Sequence, residues 1–256
     1  MIFAGRDLAR GAQVLAELQR ERPGLPHAFV AADLSLLSET ERLAREVTKL
    51  TTRLDAVVCC AGILSAIPEW TAEGLERNFV LNYLSRYLLA RRVLPALREA
   101  VSGRLVMVSN AGKYPDTLDF ADLQHRRGKR GLAVVGRTQF ANDLLVTELA
   151  ERLRGSRVEV TCVFPGVTRS ACFKNARGLP WLMQRLALVL VRLFGRAPHV
   201  AAQTPVFLAR DSAAVGTNGR FYGPKLVCLD VPPRSSNPER RAALWSASEE
   251  LVRPFW

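Results

Sequence analysis

Apolar positions follow two periods along the chain, short β-type runs and four-residue helical spacing. Within 134–153, Ala141, Leu145, Leu149 and Leu153 recur every four residues, which predicts a helix with a buried stripe. Residues 8 to about 21 read as a helix stopped by Pro23. Residues 28–32 predict a strand ending at Asp33-Leu34-Ser35, and residues 55–60 a strand ending at Ala61-Gly62. Between them Ser38, with Glu41 three residues on, has the spacing of a helix capping box. Strand and helix signals alternate, which predicts an α/β domain built on a parallel sheet with helices on both faces.

A length of 256 residues and 48% hydrophobic content suit one core, so 1–256 is read as a single domain. The net charge is +12, but the basic residues are scattered. Only Arg126-Arg127-Gly128-Lys129-Arg130 forms a run, read as a solvated loop, and with no aromatic interleaving no nucleic-acid partner is expected. Five irregularly spaced cysteines suggest reduced thiols, and three dispersed histidines give no metal cluster. No basic region followed by a long apolar segment marks a signal peptide at the start, so a cytoplasmic protein is expected.

The motifs carry a family resemblance. Gln139-Phe140-Ala141-Asn142 with Thr147-Glu148-Leu149 resembles the catalytic helix of the short-chain dehydrogenase/reductase family. Asn82-Tyr83-Leu84, Leu94-Pro95-Ala96-Leu97, Gly103 to Ser109, Pro165-Gly166-Val167-Thr168, Gly219-Arg220-Phe221-Tyr222 and Leu244-Trp245-Ser246 look like its retinol-dehydrogenase-like branch. The resemblance implies a Rossmann-type doubly wound sheet. It also implies that the first residues match the family's second strand, so the first strand, Gly-rich loop and first helix are missing. Their absence would leave a slot about 9–10 Å wide, two strand spacings. A rearranged sheet, a partner's strand or a start placed too late would each account for it.

The resemblance also assigns the site. Arg6 matches the position that holds the 2′-phosphate of NADP, and Asp33-Leu34 the pair flanking adenine. Ala61-Gly62 keep the small residues of the Asn-Asn-Ala-Gly turn, with Cys59-Cys60 in place of the amides, and Pro165-Gly166 match the turn beside the nicotinamide. On the chemical side Asn82 is retained. The substrate-binding Ser aligns best with Asn110, with Ser109 one residue earlier, and strand alternation allows only one of them to face the pocket. The family's Tyr is Val135 and its Lys is Gln139. Valine has no proton to give, and a positioned acid is worth roughly 10²–10⁴ in rate. Tyr114 lies in the loop after the Ser-position strand.

These substitutions lead to an expected degenerate, non-redox protein that needs no cofactor. It would bind a small hydrophobic molecule and direct its isomerisation or cyclisation through Asn110 or Ser109, Asn82 and Gln139, by orientation alone. One alternative is an inactive protein working by association, since helices 70–99 and 134–153 match those through which the family forms homodimers. Another is an NADP-dependent oxidoreductase with Tyr114 as relocated proton donor. The lobe at about 167–200 reads as a lid over the substrate, a membrane-surface helix or a partner face. Its longest uninterrupted apolar run, 186–191, is too short to cross a bilayer.

Overall fold

The computed structural model describes residues 1–128 and 130–256. Lys129, within the basic run, lies outside the described residues. The chain opens with β1 (Ile2–Gly5), α1 (Leu8–Glu21), β2 (Ala28–Ala31), α2 (Leu37–Leu50) and β3 (Ala56–Cys59). Next come α3 (Arg77–Phe79), a π-helical turn over Val80–Leu84, α4 (Ser85–Arg98) and β4 (Gly103–Val108). Then follow α5 (Ala133–Arg152), β5 (Val158–Val163), α6 (Trp181–Phe194), α7 (Pro198–Ala201) and α8 (Gln203–Arg210). Two short strands, β6 (Phe221–Tyr222) and β7 (Cys228–Leu229), precede α9 (Pro238–Val252).

The parallel α/β architecture is as expected, but the strands form two sheets. β1 and β2 pair in parallel with Phe3 opposite Phe29, and β3 to β7 form a second sheet in chain order, parallel until β7 turns back on β6. Among the described residues no strand lies between β1 and β3. The slot implied by the sequence is neither closed nor filled.

In the larger sheet the two-residue alternation of strands sorts the core. Leu105 and Met107 of β4, with Val158, Val160 and Cys162 of β5, face α4, α5 and α9. Val106 and Val163 face α8 through Leu208. On β3, Cys59 belongs to the first face and is buried, whereas Val58 points the other way and is 42% exposed. That face of β3 is only partly covered, by α8. Helix α5 is buried almost all round, with Ala141, Leu145 and Leu149 in the core as the four-residue stripe requires, and α9 packs along it. Little of α5 is left for a second copy.

Two local expectations change. Ser38 lies inside α2, and the helix is capped from a distance: Glu73 accepts from the Leu37 and Ser38 amides at 2.7 and 3.0 Å and from the Ser38 hydroxyl at 2.6 Å. A carboxylate at a helix N-terminus satisfies free amides and the dipole together. Glu41 bonds Arg92 of α4. The expected helix from 70 starts at Arg77, because Glu76 is its cap and accepts from the Asn78 and Phe79 amides at 3.0 and 2.9 Å.

Glu76 is fully buried and forms an ion pair with Arg137 of α5, itself only 2% exposed. Removing one partner of such a pair strands the other charge in a medium that solvates it poorly. Glu76→Ala is expected to cost about 3–5 kcal/mol. Urea unfolding followed by circular dichroism checks it.

Candidate active site

An open cleft of about 880 Å3 runs over the C-terminal ends of β3, β4 and β5, where open α/β sheets bind ligands. Ser109, Asn110, Tyr114, Val135 and Gln139 line it, together with Gly62, Pro165 and Gly166. Arg6 borders this cleft and also a second trough of about 600 Å3 formed with Ala31, Ala32, Asp33 and Arg42. The two hollows therefore meet at the end of β1.

Both Ser109 and Asn110 reach the cleft, contrary to the alternation expected. β4 ends at Val108, and the chain then turns, with the Lys113 amide bonding the Asn110 carbonyl at 3.1 Å and Ala111 and Gly112 at φ 41° and 77°. Strand alternation does not apply beyond the strand. Ser109 donates to Gln139 Oε1 at 3.0 Å. The Asn110 side chain makes no hydrogen bond within the described residues, so its amide is the free donor of the two.

Asn82 lies in the π turn and spends its side chain internally. It accepts from the Ile63 amide at 2.8 Å and donates to the Ile63 carbonyl at 3.1 Å and to Thr138 Oγ1 at 3.2 Å. Its role is to hold the turn after β3 against α5. A Cβ on Gly62 would come within 3.3 Å of Asn82 Oδ1, so glycine keeps this turn against the asparagine. Ala61 presents its carbonyl to Arg86 Nη2 at 2.8 Å, and its side chain does not line the cleft. Leu34 packs towards the α2 core, away from either hollow. Asp33 borders the second trough but accepts from the Ser35 amide and hydroxyl at 3.0 and 2.8 Å, a helix-entry role. Burial raises its pKa, but the bonds from Ser35 and the charge of Arg6 win and hold the carboxyl below the usual range.

Two further groups line the cleft: Arg86, of which the spacing of motifs gave no hint, and Tyr114, which the sequence offered only as an alternative proton donor. Arg86 is buried between the ends of β3 and β4 and donates to the Val108 and Ala61 carbonyls at 2.8 Å each. No carboxylate among the described residues pairs with it. Burial lowers its pKa, but a guanidinium stays charged. With Arg6, Arg77 and Arg177 it outnumbers the cleft's one carboxylate, Glu69, so the hollow is basic. Tyr114 packs its ring on Gly136, where an added Cβ would lie 2.9 Å from the ring. That places the Tyr114 ring beside Val135 on the cleft wall. Burial, then the neighbouring Cys172, raises its pKa, so the phenol keeps its proton at neutral pH.

The 167–200 lobe is fastened to the rim. Ser65 and Arg177 bridge in parallel, with the Ala66 amide bonding the Arg177 carbonyl at 2.8 Å, and Phe173 and Arg177 line the cleft. No side chain of helix α6 lines this hollow, and Gln184 ties the helix to the Phe173 carbonyl of the lining loop at 2.8 Å.

A short chain dehydrogenase family model matches residues 1–119. Human retinol dehydrogenase 14 is 28% identical over 268 residues, covering 98% of this chain and 78% of the relative. Dehydrogenase/reductase SDR family member 13 of Bos taurus is 30% identical, covering 98% and 66%. Among solved structures, an uncharacterised protein from Mycobacterium paratuberculosis superposes with a TM-score of 0.73 at 22% identity, covering 98% of this chain and 83% of that one. A short-chain dehydrogenase from Shigella flexneri complexed with NADP gives 0.65 at 21%, covering 87% and 84%. The chain belongs to the short-chain dehydrogenase/reductase family, in its retinol-dehydrogenase-like branch. An oxidoreductase-type function goes with that membership, and the expected non-redox, cofactor-free protein finds no support among these relatives.

Asp143, one turn beyond Gln139, accepts from the Gly112 amide at 3.0 Å and holds the turn that carries Asn110. Burial pushes its carboxyl up to about 7, against the lowering by Gly112 and Cys162. A folded pKa raised above that of the unfolded chain gives stability that is full below the unfolded value of 3.8 and falls as pH rises towards 7. Asp143→Asn is expected to flatten this dependence and to gain on the order of 3 kcal/mol over wild type at pH 8. Unfolding curves at pH 5 and 8 test it.

Proposed function

We propose that the protein reduces an apolar carbonyl compound with NADP(H), using Tyr114 as proton donor. The observation that carries this is the Tyr114 ring, seated on Gly136 beside Val135 in the same hollow as Ser109, Asn110 and Gln139. The phenol absent from position 135 is supplied from the loop after β4. Relatives of the retinol-dehydrogenase type support the apolar substrate class, and the NADP in a neighbour of the same fold supports the cofactor.

The residues present suit the dinucleotide at its two ends. Arg6, exposed where the hollows meet, has the bidentate fork that suits a 2′-phosphate. Gly166, at φ 90°, and Pro165 form a close turn at the other end. The middle, where a Gly-rich turn and helix N-terminus usually receive the diphosphate, faces the open slot beside β3. There Cys60 and Gly62 border the cleft, with Arg86 behind them. A bound NADP(H) supplies the hydride. The chain's own work is to orient and protonate: Asn110 donates to the substrate oxygen, Ser109 with Gln139 braces it, Tyr114 delivers the proton, and Arg86 stabilises negative charge through the field of a buried cation.

Tyr114→Phe keeps the ring and removes only the proton. It is expected to lower kcat for aldehyde reduction by roughly 10²–10⁴ with KM little changed. Unchanged turnover refutes the assignment. A second reading rests on Val135 and the open slot: a non-redox protein that binds an apolar molecule and directs its isomerisation or cyclisation, or one that acts by association. Titration of tryptophan fluorescence with NADPH separates them, since saturable quenching together with turnover belongs to the reductase alone.

A further inference from the structure

Helix α6 is turned inside out. A helix on a water-soluble domain normally buries its apolar stripe. Here Leu182, Leu186, Val189, Leu190, Leu193 and Phe194 are 46–78% exposed, and Val191 is the buried residue of the helix. At about 100° per residue the six fall on one arc, and Val191 and Gln184 on the opposite side. The tie from Gln184 to the Phe173 carbonyl fixes that orientation.

Charge identifies what covers the arc. Residues 160–210 contain no Asp or Glu, and they carry seven cations: Arg169, Lys174, Arg177, Arg185, Arg192, Arg196 and Arg210. Arg185 and Arg192 lie at nearly the same angle, on the edge of the arc, with Arg185 5.6 Å from the Trp181 ring. Apolar centre, tryptophan and arginine rim, and no acid make the pattern of a helix lying in an anionic lipid interface. A second copy suits the face poorly, because two-fold pairing brings its cations together. Fourteen residues span about 21 Å, so the helix can lie in a bilayer surface but not cross it.

We infer that α6 docks the protein on the surface of an anionic membrane. The arc then sits among the acyl chains, with Arg185 and Arg192 among the headgroups, and the loop beside the cleft is brought to the lipid. An apolar substrate can pass from bilayer to cleft without crossing water. That route rests on the reading given above; the docking does not.

The full-length protein is sedimented with phosphatidylcholine vesicles and with mixed phosphatidylserine/phosphatidylcholine vesicles, in low and high salt. Wild type is expected to partition onto the mixed vesicles and to be released by salt. Leu186→Glu with Leu190→Glu is expected to abolish binding. Arg185→Gln with Arg192→Gln should weaken it about 30-fold, from about 1 kcal/mol per basic residue near an anionic surface. All four positions are exposed or half-buried, and unchanged circular dichroism verifies folding. Equal binding to both vesicle types, no binding to either, or wild-type binding by the Glu variant overturns the inference. So does a concentration-dependent dimer abolished by the Glu variant. Vesicle binding without NADPH turnover keeps the docking and removes the reductase; turnover without vesicle binding does the reverse.

Discussion

The two sheets share no backbone hydrogen bond, and α2 holds them together. Leu43 and Val47 pack with Ile2 and Val30 of the small sheet and with Leu54 and Leu89 beside the large one. Glu41 on the same helix pairs with Arg92 of α4, and Glu73 caps the helix from the far side of β3. The position of Arg6 over the cleft therefore depends on side-chain packing and ion pairs, where an unbroken sheet would fix it by a hydrogen-bonded ladder. Packing of this kind resists separation but allows small rotations that a ladder forbids.

At the other end of the cleft the geometry is more tightly determined. Asn82, Asn142 and Thr138 tie the π turn to α5, Asp143 holds the turn after β4, and Glu76 with Arg137 locks α3 to the same helix. Nearly every polar side chain on the buried face of α5 has a partner. Buried polar groups that are fully paired give a unique arrangement. The reacting end is thus rigid, and the cofactor end rests on a helix clamp.

Much of this was legible in the residues. The helix over 8–21, the buried stripe of α5 and the strands before Asp33 and Ala61 follow from period and punctuation, which are local. The slot beside β3 followed from matching the first residues to a second strand. What stayed hidden depends on distance in the chain. Glu73 lies 35 residues from the amides it caps, so Ser38 and Glu41 offered a nearer and mistaken capping box. The seat of Tyr114 depends on Gly136 lacking a side chain, and nothing in the spacing of 114 and 136 announces that. The expectation that only one of Ser109 and Asn110 could face the hollow failed because it carried strand geometry one residue past the strand. The apolar run of α6 was visible from the start, but which way it faces is decided by one glutamine.

The facing borders of β1 and β3 have a consequence for handling. Among the described residues each presents a row of peptide groups without a strand partner, a template on which an extended polypeptide can add itself. Four residues per border make such sticking weak for one encounter, yet it grows with crowding. The net charge of +12 opposes such association at low ionic strength, and added salt, which screens that charge, favours it.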